Sequence, residues 1–440
     1  MSPAAASQPQ QNYGLMFLMS ALCWLWISFA DGPIFFIMSA TERTGYLLYV
    51  TPVAAVFVLA LIIFRNARLS AQALTHQAFI LAGFGAAAIV QKVYAGGFDF
   101  PGYLQLYMTF ALCFLISKFY QDNAAKLGAQ FANSILWIHY FLCGYCVLAW
   151  LGLNFLDISI EIRHAYNSIG GSSFGFARTS GFHRESAWAG QAIAATFLIN
   201  YSLRPRKILP VTIFFVAGVL TSGSATGLLL AFAFAGYIFA ARKEFSMGTK
   251  ILVGVLAIAA LVFVFRERIQ DIFSGLDPST SMRIASARPA LDIVRDHFPF
   301  GAGYGNFRDY AVYDSGFSRE FIDLEKASYY KSDVAILNIL AELGVMGAIM
   351  LVIFARNFYV RTTLLIMGLV IIGYFSGGTL VSPPYFALAA FVGLQRAIEL
   401  QSRPARTARP LAQARRSGGS GGWVVGHSVS GVFGQRGRPQ

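Results

Sequence analysis

The sequence predicts an all-α, polytopic integral membrane protein: a helical bundle of about twelve transmembrane helices with a large helical loop outside the membrane between spans nine and ten. Two observations support this fold class. Hydrophobic residues make up 56% of the 440 residues and charged residues only 12%, too few charges to cover a water-soluble protein of this size. Apolar runs of about 20 residues recur between connections rich in Gly, Pro or charge.

The spans follow from cutting the apolar runs at these connections. The first is interpreted as a retained span and not a signal peptide, because no basic segment precedes it. The predicted spans are 13–39, 45–64, 74–93, 101–117, 130–153, 185–203, 208–220, 225–241, a ninth that follows Lys250 and ends at 265, 334–354, an eleventh reaching 381 and a twelfth ending near 399.

The charged connections predict the topology. If residues 1–12 are cytoplasmic, every second connection is cytoplasmic, and these are the ones rich in Lys and Arg, as the positive-inside rule expects. They lie at Arg65, Lys118, Arg204, Arg242, Arg356 and in the basic tail 401–440, which is predicted to be disordered. The polar loops 154–184 and 266–333 then face the periplasm or cell exterior.

Net charge and cysteine placement exclude two other classes. The net charge of +13 is dispersed over short connections and the tail, which indicates topology and not nucleic-acid binding. All four cysteines lie in apolar runs, so no disulfide framework is predicted. The Cys143 and Cys146 spacing is interpreted as two buried thiols on one helix face, because the βαβ context of a redox motif is absent.

The loop 266–333 holds more than half of the acidic residues and predicts an amphipathic helix. Its apolar stripe has a spacing of three to four, and Pro289 is predicted to open the helix. The stripe consists of Ala287, Leu291, Val294 and Phe298. Such a helix lies either against the membrane surface or over the mouth of the bundle.

A glycine run, 301–305, ends this helix. Its sequence, GAGYG, follows a helix and not a strand, and it lies outside the cytoplasm. We therefore interpret it as a structural turn in preference to a phosphate cradle of the dinucleotide-binding kind.

Arginines on the predicted outer side need an explanation, because the positive-inside rule places most Lys and Arg residues on the cytoplasmic side. Each is explained either by an ion pair with a neighbouring acid or by a fork that binds an anionic, lipid-linked group such as a diphosphate. The set is Arg163, Arg178, Arg184, Arg283 and Arg288. Within the spans, Glu342 either serves a site or is neutralised by a hydrogen bond, and His139 is interpreted as an interhelical contact.

Four motifs, in order along the chain, resemble the O-antigen polymerase and ligase family over residues 178–347. They are the first motif at 178–186 (RTSGFHRES), the second at 220–227 (LTSGSATG), the third at Arg283 with 299–307 (PFGAGYGNF), and the fourth at 332–344 (SDVAILNILAELG). The resemblance implies a metal-independent glycosyltransferase that uses undecaprenyl-diphosphate-linked glycans at the periplasmic face of the bacterial inner membrane, with no cofactor.

Two departures from the ligase pattern favour a polymerase of O-antigen or exopolysaccharide over a ligase that transfers glycan to lipid A core. The ligase pattern has a His-Asn pair where this chain has Asp333 and Val334, eleven and ten positions before Gly344. Ligase-like members also often carry Arg where this chain has Ala225.

The resemblance and the loop chemistry together give the candidate site. The catalytic candidates are Asp333, Glu185, Arg178 and Arg283. The substrate-binding candidates are Arg184, Arg288, His183, Gly303, Gly305 and Glu342. The expected partners are the lipid-linked oligosaccharide and the bilayer, with room for a chain-length regulator. A lipid-linked oligosaccharide transporter and a non-enzymatic scaffold are the alternatives from other classes.

Overall fold

The structure is a computed structural model, and it describes a large part of the bundle and its connections. The described residues are 24, 70–94, 98–158, 172–173, 176–181, 183, 186–203, 208–224, 227–232, 246–264, 266, 270, 274, 278–310, 334–360 and 384–402.

The described part is helical apart from one short antiparallel pair of strands. The helices are α1 (Ala71–Tyr94), α2 (Phe100–Asp122), α3 (Ala124–Phe155), α4 (Ser186–Leu203), α5 (Ile208–Ser222), α6 (Met247–Val264), α7 (Pro278–Asp296), α8 (Phe307–Tyr310), α9 (Ala335–Asn357) and α10 (Pro384–Ser402). Strands β1 (Ser172–Ser173) and β2 (Phe176–Ala177) pair Ser172 with Ala177 and Ser173 with Phe176.

Eight of these helices, α1 to α6, α9 and α10, coincide with the third to seventh, ninth, tenth and twelfth predicted spans. Helices α7 and α8 lie in the predicted loop 266–333. Four helical segments among the described residues are long and apolar enough to cross a membrane: Leu74–Tyr94, Phe100–Asp122, Ala124–Phe155 and Ala335–Asn357. The first, second and eleventh predicted spans, apart from Trp24, and most of the eighth lie outside the described residues. The count of about twelve spans and the 401–440 tail remain predictions.

The outer surfaces of these helices expose large apolar side chains. Phe79 and Ile89 on α1 are 71% and 68% exposed, and Trp137 on α3 is 62% exposed. Contiguous apolar surface of this kind is unusual on a soluble monomer and is expected where a helix contacts lipid. The exposure therefore agrees with an integral membrane protein.

Helices α3, α4 and α5 pack together around a buried histidine. His139 on α3 lies 3.0 Å from Thr196 Oγ1 on α4 and 3.0 Å from the Val211 carbonyl oxygen on α5. The predicted interhelical contact of His139 is confirmed. Cys143 and Cys146, on the same helix, are buried free thiols, as predicted.

Helix α7 differs from its prediction. It begins at Pro278, about three turns before Pro289, so Pro289 lies inside the helix and the predicted start was wrong. Ala290 and Ile293 are buried against α9, whereas Leu291 is 56% exposed. The small side chain of Ala290 permits close packing of α7 against α9. Whether α7 lies against the membrane surface or over the mouth of the bundle remains a prediction.

Contacts between connections are compatible with the parity of the predicted spans. The Asp99 N–H donates to the Tyr304 carbonyl at 2.8 Å, and the Thr179 N–H donates to the Thr221 carbonyl at 3.3 Å. Arg396 at the end of the twelfth predicted span donates to the Arg356 carbonyl at 2.9 Å. In each pair an even number of predicted spans separates the two connections, so the contacting segments are expected on the same side of the membrane.

Candidate functional site

The first and second motifs contact each other. Asn154, at the end of α3, brackets Ala177: its Oδ1 accepts the Ala177 N–H at 2.8 Å and its Nδ2 donates to the Ala177 carbonyl at 3.0 Å. Two residues later the Thr179 N–H bonds the Thr221 carbonyl of the second motif. The backbone of Arg178 is therefore anchored on both sides, and its side chain is partly buried.

A tight turn follows Arg178. Gly181 has φ +56°, and its N–H donates to Thr179 Oγ1 at 3.1 Å. A Cβ at this position would approach Cys146 Sγ at 2.8 Å, so both the backbone conformation and the space require glycine. The His183 N–H closes the turn on the Ser180 carbonyl at 2.9 Å, and the His183 side chain is buried.

The second motif turns the chain between α5 and the helical segment 227–232. Ser224 Oγ accepts the Gly227 N–H at 3.0 Å, which satisfies a free donor at the start of that segment. Gly190 on α4 contacts both residues, since a Cβ there would collide with Ser224 and lie 3.2 Å from Gly227 Cα. The small residues of this motif thus permit the close approach of α4.

The third and fourth motifs form a second contact. A small apolar cluster joins α7 to α9 and to the segment between them; it consists of Ala290, Ile293, Ala302, Phe307 and Ala341, with Val294 and Leu337 packed against it. The backbone of 299–303 pairs with α9: the Ala302 N–H donates to the Ala341 carbonyl at 2.9 Å, and the Gly303 N–H donates to the Glu342 carbonyl at 3.0 Å.

Helix α9 is interrupted at Gly344, where φ is 55° and ψ is −135°. The break frees the Val345 N–H, which donates to the Pro299 carbonyl at 2.8 Å. A Cβ at Gly301 would lie 2.6 Å from the Glu342 carbonyl oxygen, and one at Gly344 would collide with Pro299. The glycine run is therefore a structural turn that fits the break in α9, as the sequence predicted.

The candidate residues that the structure describes differ in burial and in location. Glu342 is 1% exposed at the break in α9, and Arg288 is exposed on α7. The predicted ligands Gly303 and Gly305 belong to the structural turn; Gly305 is exposed and the Gly303 N–H is used by α9. Their substrate-binding role remains a prediction.

Other candidates are described in part or not at all. Arg283 lies on α7, seven residues before Ala290, so the two positions share one side of the helix. The side chain of Arg283 is outside the described part of the chain. Asp333, Glu185, Arg184 and Arg163 also lie outside the described residues.

An ion pair on α7 accounts for one arginine that was not a candidate. Arg295 contacts Asp296 at 2.8 Å and Asp292 at 3.5 Å. The hydrogen bond from Arg295 lowers the pKa of Asp296 and raises the pKa of Arg295 itself. These exposed pairs serve as a reference for an arginine with an ordinary surface role.

Sequence reasoning missed two polar residues that position the site. Asn154 fixes the backbone beside Arg178, and Gln91 contacts the 299–305 segment from α1. Each is an amide side chain in the last turns of an otherwise apolar span, which is a detectable signal. Within the ranges that the structure describes, no group of three or more His, Cys, Asp or Glu side chains is placed to hold a metal ion.

Comparison with known protein families gives a match for part of the chain. Residues 210–352 match a protein-family model described as O-antigen ligase. The matched region begins in α5 and ends in α9, so it includes the second motif, the third motif and the break at Gly344, but not Arg178. It supports the family resemblance and a role in O-antigen or polysaccharide assembly, without separating polymerase from ligase. No curated protein matches the chain.

Proposed function

We propose that this chain is a polysaccharide polymerase that joins undecaprenyl-diphosphate-linked repeat units at the periplasmic face of the bacterial inner membrane. The observation that carries the proposal is the pairing of the motifs: the first contacts the second through Thr179 and Thr221, and the third contacts the fourth through Gly303 and Glu342. By span parity, both pairs belong to the side of the membrane opposite the Lys- and Arg-rich connections. Both termini are then cytoplasmic.

In this proposal Arg178 and Arg283 bind the diphosphate of the donor. The bond between the anomeric carbon and the diphosphate oxygen breaks during transfer, and negative charge grows on the leaving lipid diphosphate. A guanidinium offers two parallel N–H donors and a permanent charge, so it stabilises this charge where it develops. The anchored backbone beside Arg178 supports such a role, because a preorganised donor needs no rearrangement during the reaction.

A carboxylate accepts the proton of the attacking sugar hydroxyl, whose oxygen forms the new bond to the anomeric carbon. Asp333 is our first candidate and Glu185 our second. In sequence, Asp333 precedes Val334, the N-cap of α9, and Glu185 precedes Ser186, the first residue of α4. The scheme requires neither a metal ion nor a cofactor.

An O-antigen ligase is the second candidate function, favoured by the description of the matched family model. Against it stand Asp333 and Val334 at the place of the His-Asn pair, and Ala225 in place of Arg. The two functions predict different glycans in cells that lack the protein. Loss of a polymerase leaves single repeats, whereas loss of a ligase leaves long glycan on the lipid carrier and none on lipid A core.

The test is a set of arginine variants in cells that lack the native protein. Arg178→Ala and Arg283→Ala are expected to abolish long polymer and to leave single lipid-linked repeats. Arg295→Ala is the matched control, because Arg295 lies on the same helix as Arg283 and contacts only carboxylates of α7 in the pairs above. Gel separation of the glycans measures chain length. Wild-type ladders from both Arg178→Ala and Arg283→Ala would contradict the proposed binding of the diphosphate by these two arginines.

A further inference from the structure

The 299–305 segment has a second support, which comes from α1 and the connection between α1 and α2. Gln91 in the last turn of α1 donates from Nε2 to the Phe300 carbonyl at 2.6 Å. One turn later, Tyr94 stacks on Phe300 with ring centroids 4.2 Å apart and planes inclined by 8°. Neither Gln91 nor Tyr94 belongs to the region that matches the family model.

The start of α2 holds the next part of the same segment. The Asp99 N–H donates to the Tyr304 carbonyl at 2.8 Å, and Tyr103 packs edge-on against the Tyr304 ring at 5.7 Å. The approach is close, since a Cβ on Gly305 would lie 2.5 Å from the Cβ of Asp99.

The 299–305 segment is therefore hydrogen-bonded from two sides, by α9 and by the α1–α2 end. Pro299, Ala302 and Gly303 bond to α9, whereas the carbonyl groups of Phe300 and Tyr304 bond to Gln91 and Asp99. Because the Gly303 N–H bonds the Glu342 carbonyl, a shift of the segment moves the backbone at the break of α9. The α1–α2 end thus contacts the third motif, which in turn bonds to the fourth motif.

Gln91 is the member of this support whose side chain makes the bond. It is completely buried in an apolar helix, where an amide is costly unless it is hydrogen-bonded. Among the described residues its Oε1 has no hydrogen-bond partner, so the helix tolerates one unsatisfied atom while Nε2 holds Phe300. A buried amide of this kind in an apolar helix is a candidate for a specific role.

We propose that Gln91 is a positioning residue for the transfer reaction: its bond to Phe300 fixes the 299–305 segment against the break in α9 and so sets the geometry of the fourth motif. This inference rests on the proposed function. Gln91 does not touch the reacting atoms. Misplacement of a catalytic group by about 1 Å can cost about 100-fold in rate, so loss of the bond should lower kcat more than it changes KM for the donor.

The test compares Gln91→Leu with Gln77→Leu in purified full-length protein. Gln77 provides a matched control, because it lies on the same helix and its Nε2 also donates to a backbone carbonyl, that of Ala111 on α2, at 2.9 Å. The assay follows glycosidic bond formation with a synthetic lipid-linked repeat. We expect Gln91→Leu to lower kcat by about 10- to 100-fold with KM unchanged, and Gln77→Leu to retain wild-type kcat.

A second readout does not depend on activity. Tyr94→Cys and Phe300→Cys, introduced together into a Cys23→Ser background, can be joined by a short bifunctional thiol reagent, since the remaining cysteines are buried. The cross-linking yield reports the contact between α1 and the segment. We expect Gln91→Leu to lower this yield and Gln77→Leu to leave it unchanged.

The outcomes separate the two proposals. Wild-type kcat or wild-type cross-linking in Gln91→Leu, or an equal loss of kcat in Gln77→Leu, overturns the role of Gln91. A wild-type protein that forms no glycosidic bond overturns the proposed function, and the cross-linking yield then still decides whether Gln91 holds the segment.

Discussion

Glu342 and Gly344 lie at the point where the helical hydrogen bonds of α9 are interrupted. The carbonyl groups of Ala341 and Glu342 accept bonds from Ala302 and Gly303 in a separate segment, and Val345 donates to Pro299 in return. Residues 299–303 thus make three backbone hydrogen bonds to α9 around its interruption. This exchange places the buried carboxyl-bearing residue Glu342 beside a segment that the sequence assigns to the outer side.

At the residue scale, replacing Gly344 tests this exchange. Gly344→Ala puts a non-glycine residue into a backbone region that costs about 1–3 kcal/mol and drives its Cβ into Pro299. We expect a lower thermal midpoint in detergent and a loss of transfer activity.

Gly254→Ala on α6 is the matched control, because a Cβ at Gly254 meets nothing within 4 Å. Static light scattering or circular dichroism during heating measures both variants. Equal thermal midpoints for Gly344→Ala and Gly254→Ala would contradict the structural role given to Gly344.

Residue-level prediction from the sequence succeeded where one residue type has few options in a membrane. A histidine in an apolar span must find polar partners, and His139 does so. The partners themselves, Thr196 and Val211, were not predictable, because they lie 57 and 72 residues away in the chain. Gln91 was missed for the same reason, since its partner Phe300 is 209 residues away.

At the scale of elements, α3, α4 and α5 are tied by polar groups inside an apolar bundle. Besides the histidine contacts, Asn200 on α4 donates from Nδ2 to the Ile135 carbonyl on α3 at 3.2 Å. Gly218 on α5 approaches α3 so closely that a Cβ there would lie 3.1 Å from Cys143 Sγ. Lipid competes for apolar contact, so close packing and such bonds decide which helices associate.

Replacement of the buried histidine tests this association. His139→Leu removes the partner of Thr196 and of the Val211 carbonyl, and we expect it to destabilise the three-helix contact by about 1 kcal/mol. His76→Leu is the control, because His76 is exposed on α1. Denaturant titration in detergent measures both variants, and equal stability of the two proteins would contradict the contribution of His139.

The prediction for α7 shows where periodicity is ambiguous. Two apolar stripes, one through Leu291 and one through Ala290 and Ile293, run along the same helix one position apart. In a soluble protein the larger side chains would mark the buried face. Here Ala290 and Ile293 pack against α9, and Leu291, which is as large as Ile293, is exposed. Side-chain size alone therefore does not identify the buried face of α7.

At the scale of the whole molecule, hydropathy predicted the positions of eight described helices, because the bilayer dictates both the length and the composition of a span. Four of the described helical segments are long and apolar enough to cross a membrane. Span parity also agrees with contacts between segments far apart in sequence, such as Asp99 with Tyr304. Which connections on one side meet within each motif pair was not derivable in this way, because neither parity nor composition specifies the contacts between connections. Arg178 and Arg283 therefore remain linked by the proposed chemistry.

The sidedness of the connections can be measured directly. Single cysteines replace Phe298 and Ser246, both exposed, in a Cys23→Ser protein. In cells with a permeable outer membrane, an impermeant maleimide should label Phe298→Cys at once and Ser246→Cys only after the inner membrane is opened. The reverse pattern would contradict the positive-inside assignment and place the four motifs in the cytoplasm.

The most direct test of the proposed metal-independent polymerase is polymer formation by the purified protein. The protein is supplied with a synthetic lipid-diphosphate-linked repeat in the presence of a metal chelator. We expect a ladder of products from the wild-type protein and from Arg295→Ala. We expect unreacted single repeats from Arg178→Ala and Arg283→Ala. Absence of a ladder from folded wild-type protein, or an unchanged ladder from both variants, would contradict the proposed polymerase.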